Sequence, residues 1–86
     1  MVLQIFRIMT LEIISAEQIL FQGEVNAVTL PGEMGSFTVL QNHASLISVL
    51  VPGKLRYLDA EDSEHTVDVK GGLADVDNNV VSVCIY

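Results

Sequence analysis

The sequence predicts an all-β domain, a two-layer antiparallel β-sandwich or flattened barrel of about ten short strands. Three observations lead there. Apolar residues recur at period two, and no window holds a helical stripe. Turn-forming residues interrupt the chain at short, regular intervals, leaving runs of roughly four to eight residues. Half of the residues are hydrophobic and Trp is absent; the apolar content is mostly Val, Leu and Ile, the material of a close-packed sheet.

The elements follow in order. Leu11 and Ile13 face one way and Glu12 and Ile14 the other. Gln22-Gly23 is a turn signal, with Gly23 allowing a tight turn or bulge between consecutive strands. Val25, Ala27 and Thr29 alternate with Asn26, Val28 and Leu30. Pro31-Gly32 suits the centre of a type II turn, whose second residue needs positive φ. Leu46, Ile47, Val49 and Leu50 make an apolar cluster read first as core. Pro52-Gly53 ends one strand and aims the next. The segment AEDSEH, 60–65, is the most polar and reads as an exposed hairpin tip. Val67 and Val69 flank Asp68, Gly71-Gly72 permits a sharp bend, and Asp77-Asn78-Asn79 marks a turn before Val81, Val83 and Ile85. Several runs are apolar on both faces, as where two sheets press together or a partner covers one face.

Eighty-six residues make one domain, residues 1–86, that buries about 60–65% of the surface its unfolded chain exposes. Residues 1–8 read as a possible extension outside the fold, with Met9 an alternative initiator. The opening apolar run is short and broken by Gln4 and Arg7, unlike a signal peptide. No stretch reaches the ~20 apolar residues that span a bilayer. Eleven acidic residues against four basic ones give a net charge of −7, the wrong sign for phosphate backbones and for a direct anionic lipid contact. The single Cys84 has no internal disulfide partner, which fits a reducing compartment.

Reactive constellations are weak. His43, His65 and Cys84 match no compact metal-ligand spacing, so no metal and no cofactor is expected. Ser15, Glu17 and His43 lack the glycine-framed setting of a nucleophile. PGEMG lacks the Lys and the spacing of a phosphate cradle. A catalytic role is therefore not expected.

Two blocks carry a resemblance. LEIISAEQILFQGEV runs from Leu11 to Val25 and PGEMGSFTVLQNHASL from Pro31 to Leu46. Pro52-Gly53-x-Leu55-Arg56, Gly71-Gly72-x-Ala74 and Asn79-Val80-x-x-Val83 follow in order. Together they resemble the N-terminal β-domain of the epsilon subunit of rotary ATP synthase, over about Leu11 to Val83. Two positions depart from the family pattern. Gln41-Asn42 stand where a proline or glycine usually precedes the histidine, and Ser36 stands where many members carry a second acid.

The resemblance implies a non-catalytic rotor-stalk subunit joining the gamma shaft to the membrane ring of c subunits. Glu33, Met34, Ser36, Asn42 and His43 are the implied ring contacts, and Ser15, Ala44 and Leu46 the implied gamma contacts. Glu33 would pair with basic groups on the ring loops, with Met34 packing beside it. His43 is either a histidine fixing its own loop or a residue near shaft or ring. Separately, the alternative to a core role for part of the 46–50 cluster is contact with the shaft. The family implies a peripheral position on the cytoplasmic face of the bacterial plasma membrane, reaching the membrane only through the ring. Its familiar bacterial member continues into two C-terminal helices, whereas this sequence stops at Tyr86, as expected either of a short form without that hairpin or of a trimmed piece of a longer chain. A free-standing β-sandwich that binds a small ligand is the alternative, and it requires a concave pocket with converging polar groups.

Overall fold

Alternation builds the first layer. In the computed structural model, which describes residues 8–86, strand β1 (Met9–Ile14) buries Met9, Leu11 and Ile13. Its other neighbours in this layer are β4 (Leu46–Leu50), β7 (Gly72–Asp77) and β8 (Val80–Ile85). On β7 and β8 the inward residues are Ala74, Val76, Val81, Val83 and Ile85. The layer runs β1-β8-β7-β4. β1 lies parallel to β8, the one departure from the antiparallel expectation among the described strands.

The second layer is β3 (Gly35–Val39), β5 (Gly53–Asp59) and β6 (Glu64–Val69), gathered around β2 (Ile19–Gly32). β2 is the unexpected element. It spans fourteen residues, passing through Gln22-Gly23 and Pro31-Gly32, both of which read as turns. The described strands therefore number eight rather than about ten. β2 belongs to both layers: its first half pairs with β1, and its second half with β3 and β5.

Two bulges let one strand turn that corner. The β1–β2 register shifts between Ile13 and Ile14, which face Phe21 and Ile19 and leave Leu20 unpaired. The β2–β5 register shifts between Val25 and Ala27, which leaves Asn26 unpaired. An extra residue inverts the phase of the strand beyond it. Val25, Val28 and Leu30 are therefore the buried set, while Ala27 and Thr29 line the opposite face. The uninterrupted alternation of 25–30 is corrected accordingly.

Pro31-Gly32 is likewise the end of β2 and not the centre of a turn. The turn residues are Glu33 and Met34, and positive φ falls on Gly35, at 120°. Gly32 is small for packing reasons: a Cβ there would come within 2.8 Å of the Gly35 carbonyl and of the Phe37 ring.

The hydrogen-bonded circuit closes through a single Gly32–Leu50 bridge. Two further bonds flank it, Glu33 N–H to Val49 O and Val51 N–H to Pro31 O, both 2.9 Å. The two layers share one apolar core, with Phe21, Phe37, Leu46 and Val67 packed at its margin. Phe21 and Tyr57 rings meet at 4.5 Å between centroids.

Candidate interaction surfaces

The tip between β2 and β3 presents its side chains outward. Met34 is 99% exposed, with Glu33 and Ser36 also exposed. The same end of the domain holds the β4–β5 connection, through Val51, and Tyr86, whose N–H reaches Gly71 O at 3.4 Å. The turn therefore holds the Met34 thioether in water rather than against the core.

Asn42, His43 and Ala44 are elsewhere. They follow β3, whose five residues put about 13 Å between its ends at a rise of ~3.3 Å per residue. Leu40 O accepts the His43 N–H at 3.2 Å, closing a turn with Asn42 at φ 64°. This loop docks on the β7–β8 turn, where Asn78 and Asn79 both have positive φ (49° and 62°), as a two-residue type I′ hairpin requires. Asn79 Oδ1 accepts the Asn42 N–H at 2.6 Å and Asn79 Nδ2 donates to Asn42 Oδ1 at 3.3 Å. Ser45 Oγ donates to Asp77 Oδ1 at 2.6 Å. His43 Nδ1 donates to Ala44 O at 2.8 Å, so this histidine does fix its own loop.

The structure thus divides the implied ring contacts. Glu33, Met34 and Ser36 sit at one end, and Asn42 and His43 at the other, beside Ala44. Leu46 opens β4 opposite Val76. The implied gamma contacts divide too, because Ser15 closes the β1–β2 turn, where its N–H and hydroxyl both donate to Gln18 O at 2.9 and 3.2 Å. That turn follows Ile14, level with Cys84, away from Ala44 and Leu46.

A surface not anticipated from sequence crosses the first layer. Cross-strand partners place Val49, Leu73, Cys84, Ile14 and Ile19 in one line over β4, β7, β8, β1 and β2. All five lie on the outward phase, and Val49, Leu73 and Ile19 are 49%, 45% and 58% exposed. At ~4.8 Å between strands the line is about 19 Å long. Ile47, 69% exposed, adjoins it. The 46–50 cluster is therefore split: Leu50 is core, Leu46 lies at its margin, and Ile47 and Val49 face out. Nothing in a strand apolar on both faces says which face is core; the signal lay in the cross-strand register.

The outer face of the second layer is different in kind. Lys54 pairs with Asp68 at 3.3 Å, Arg56 with Glu64 at 3.8 Å, and the Thr29 and Thr38 hydroxyls meet at 2.9 Å. A shallow cleft of about 300 Å³ over Ala27 is lined by Thr29, Thr38, Arg56 and Glu64. At the β5–β6 turn, His65 Nε2 lies 2.8 Å from Asp59, whose other oxygen accepts the Glu61 and Ser63 amides. The His65 bond first, then that from Ser63, holds the Asp59 carboxyl below the usual range. Burial, then the Asp59 charge, pushes the Tyr57 hydroxyl up. Among the described residues no three His, Cys, Asp or Glu side chains group as metal ligands, and no polar or charged residue is buried.

A strand shared by two layers and a β1–β8 parallel closure define a small β-sandwich with one polar and one apolar outer face. The family described as ATP synthase, delta/epsilon chain, β-sandwich domain matches residues 8–85. The chain belongs to that family. It is 39% identical over 72 residues to an ATP synthase epsilon chain of Bordetella petrii, covering 84% of this chain and 51% of that one. It is 40% identical over 70 residues to the epsilon chain of Chlorobaculum tepidum, covering 81% of this chain and 80% of that one. The chain thus spans about half the length of the Bordetella relative. The fold recurs in a structure of the Euglena gracilis mitochondrial ATP synthase, OSCP/F1/c-ring (TM-score 0.87, 24% identity, 95% of this chain and 52% of that one). It recurs again in the central stalk and c-ring of the Tetrahymena thermophila mitochondrial ATP synthase (TM-score 0.73, 17% identity, 90% and 62%).

Proposed function

We propose that residues 1–86 form one domain that acts as a non-catalytic central-stalk subunit of a rotary ATP synthase. It couples the gamma shaft to the c-ring and turns with both during ion-driven ATP synthesis. Family membership supports the assembly. The observation that carries the coupling role is a rigid sandwich with an exposed tip at one end and an apolar line on a separate face. Close-packed cores deform little, so torque entering one surface leaves by the other with small loss. Two modest contacts also reinforce each other, since holding one raises the effective concentration for the second.

The geometry favours a revised allotment of contacts. Glu33, Met34 and Ser36 meet the ring, Glu33 pairing with basic groups on its polar loops. Asn42 and His43 join Ala44 and Leu46 on the shaft side, with the outward residues of β4. Ser15 stands apart from that group and is a structural turn residue in this reading. The domain sits at the cytoplasmic face of the bacterial plasma membrane and touches the membrane only through the ring. Co-purification with gamma and c subunits tests the reading. Retention of the chain with both supports it, and failure to associate with either overturns it.

A further inference from the structure

We propose that the cleft over Ala27, on the outer face of the second layer, binds a small zwitterion of the α-amino acid type with a short aliphatic side chain. None of its lining residues belongs to the surfaces allotted to ring and shaft, so the proposal stands apart from the rotor reading.

Register builds the cleft. Thr38, Thr29 and Arg56 stand side by side over β3, β2 and β5. The next row along the strands is Ala27 and Leu58, with Glu64 opposite Leu58 on β6. The bulge at Asn26 turns Ala27 onto this outer face. Its methyl group is the smallest side chain of the set, so a hollow remains where its longer neighbours rise around it. A volume of about 300 Å³ lies at the lower end of the ~300–1,000 Å³ that ligand sites occupy, which restricts the occupant to a small molecule. Ala27 and Leu58 supply an apolar floor for an aliphatic group.

Two opposite charges meet at one wall. Arg56 Nη1 and Glu64 Oε1 are 3.8 Å apart, and the two side chains are 55% and 58% exposed. That separation is too long for a hydrogen bond, so the guanidinium keeps donors and the carboxylate keeps acceptors for a third group. The Thr29 and Thr38 hydroxyls, 2.9 Å apart, use one hydrogen between them and leave the other free to donate. The neighbouring pair, Lys54 and Asp68, closes to 3.3 Å and lies outside the cleft lining.

This pairing selects the ligand class. A simple anion at Arg56 meets the Glu64 charge, and a simple cation at Glu64 meets that of Arg56. A molecule with carboxylate and ammonium on one carbon satisfies both. Arg56 donates to its carboxylate, Glu64 accepts from its ammonium, a threonine hydroxyl donates to the remaining carboxylate oxygen, and its side chain covers Ala27 and Leu58. Because the cleft is shallow and the ligand small, the expected Kd is about 1–10 mM.

The test titrates the 86-residue chain with three probes and follows its amide NMR signals. The probes are L-leucine, 4-methylpentanoate, which lacks the ammonium, and 3-methylbutylamine, which lacks the carboxylate. Leucine is expected to shift signals on β2, β5 and β6 saturably, with each analogue at least about fivefold weaker. Arg56→Gln and Glu64→Gln should each weaken leucine by a similar factor. Ala27→Val fills the hollow with a strand-favouring residue and should abolish binding, with thermal melting confirming that the variant folds. Lys54→Gln should leave binding unchanged. Equal binding of leucine and either analogue, unaltered binding by Arg56→Gln, a footprint on β4, β7 and β8, or no saturable shift below about 100 mM each overturns the proposal. None of those results bears on whether the chain co-purifies with rotor subunits, so the two readings fail separately.

Discussion

Gly72→Ala offers the sharpest check on the packing described above. Gly72 opens β7 opposite Ile85 and Leu50, with φ at 153°. A Cβ there would collide with the Cys84 carbonyl oxygen and lie 3.0 Å from Cys84 C and Ile85 Cα. Those atoms belong to the backbone of a paired strand and cannot swing aside. Two costs add: about 1–2 kcal/mol for an L residue in a disfavoured region, and about 1–3 kcal/mol for forcing a packed backbone apart. Gly35→Ala isolates the first cost, since φ is 120° there but nothing lies within 4 Å of the added carbon. Against a total of ~5–15 kcal/mol, Gly72→Ala removes about 2–5 kcal/mol and Gly35→Ala about 1–2 kcal/mol. At ~4–8 °C per kcal/mol, thermal melts followed by far-UV circular dichroism separate the two clearly. If both variants melt together, or if Gly72→Ala melts like the parent chain, the close approach of β7 to β8 has been misjudged.

Other substitutions address the surfaces. Glu33→Arg should weaken co-purification with the c-ring while changing stability by no more than about 0.5 kcal/mol; unchanged ring retention would remove Glu33 from the contact. Asn79→Ala should cost about 1–2 kcal/mol, because it loses both the left-handed preference and the bonds to Asn42. Asn79→Gly should cost less, and both should speed amide exchange in 40–45 if the clasp holds that loop. For Asp59, a depressed folded pKa means stabilisation that is present above the unfolded carboxylate value near ~3.9 and lost as pH falls through the folded one. Melts of Asp59→Asn and the parent chain from neutral to acid pH should therefore converge once the pH falls below the folded Asp59 value; a gap that persists there would assign the effect to shape and not charge.

Much of this architecture could be read from residue order alone, for identifiable reasons. Leu11 and Ile13 against Glu12, and Val81, Val83 and Ile85, alternate because each strand has one face in the core. Asp77-Asn78-Asn79 is a turn in sequence and in space because asparagine tolerates left-handed φ. The AEDSEH tip is a turn through Ser63, after which Glu64 and His65 already belong to β6. What escaped was long-range. The bulge at Asn26 inverts the phase of β2 without any local residue that demands it, since Asn26 is held by Asp62 Oδ1 at 2.7 Å, 36 residues away. Glu33 and His43 are ten positions apart in sequence yet stand at opposite ends of β3, because the five residues of that strand run straight between them. The apolar line over the first layer depends on four registers at once, and no local pattern in β4 or β7 encodes those.

One consequence of the doubly shared strand concerns failure under load. Where two sheets meet only through interdigitated side chains, a twisting force can slide one past the other. Here a single covalent backbone, Ile19 to Gly32, passes from one sheet into the other. Slippage between the sheets would require β2 to be stripped from β1 or from β5. A push on Met34 is therefore delivered through peptide bonds to the far sheet, and the core has only to keep its shape while that happens.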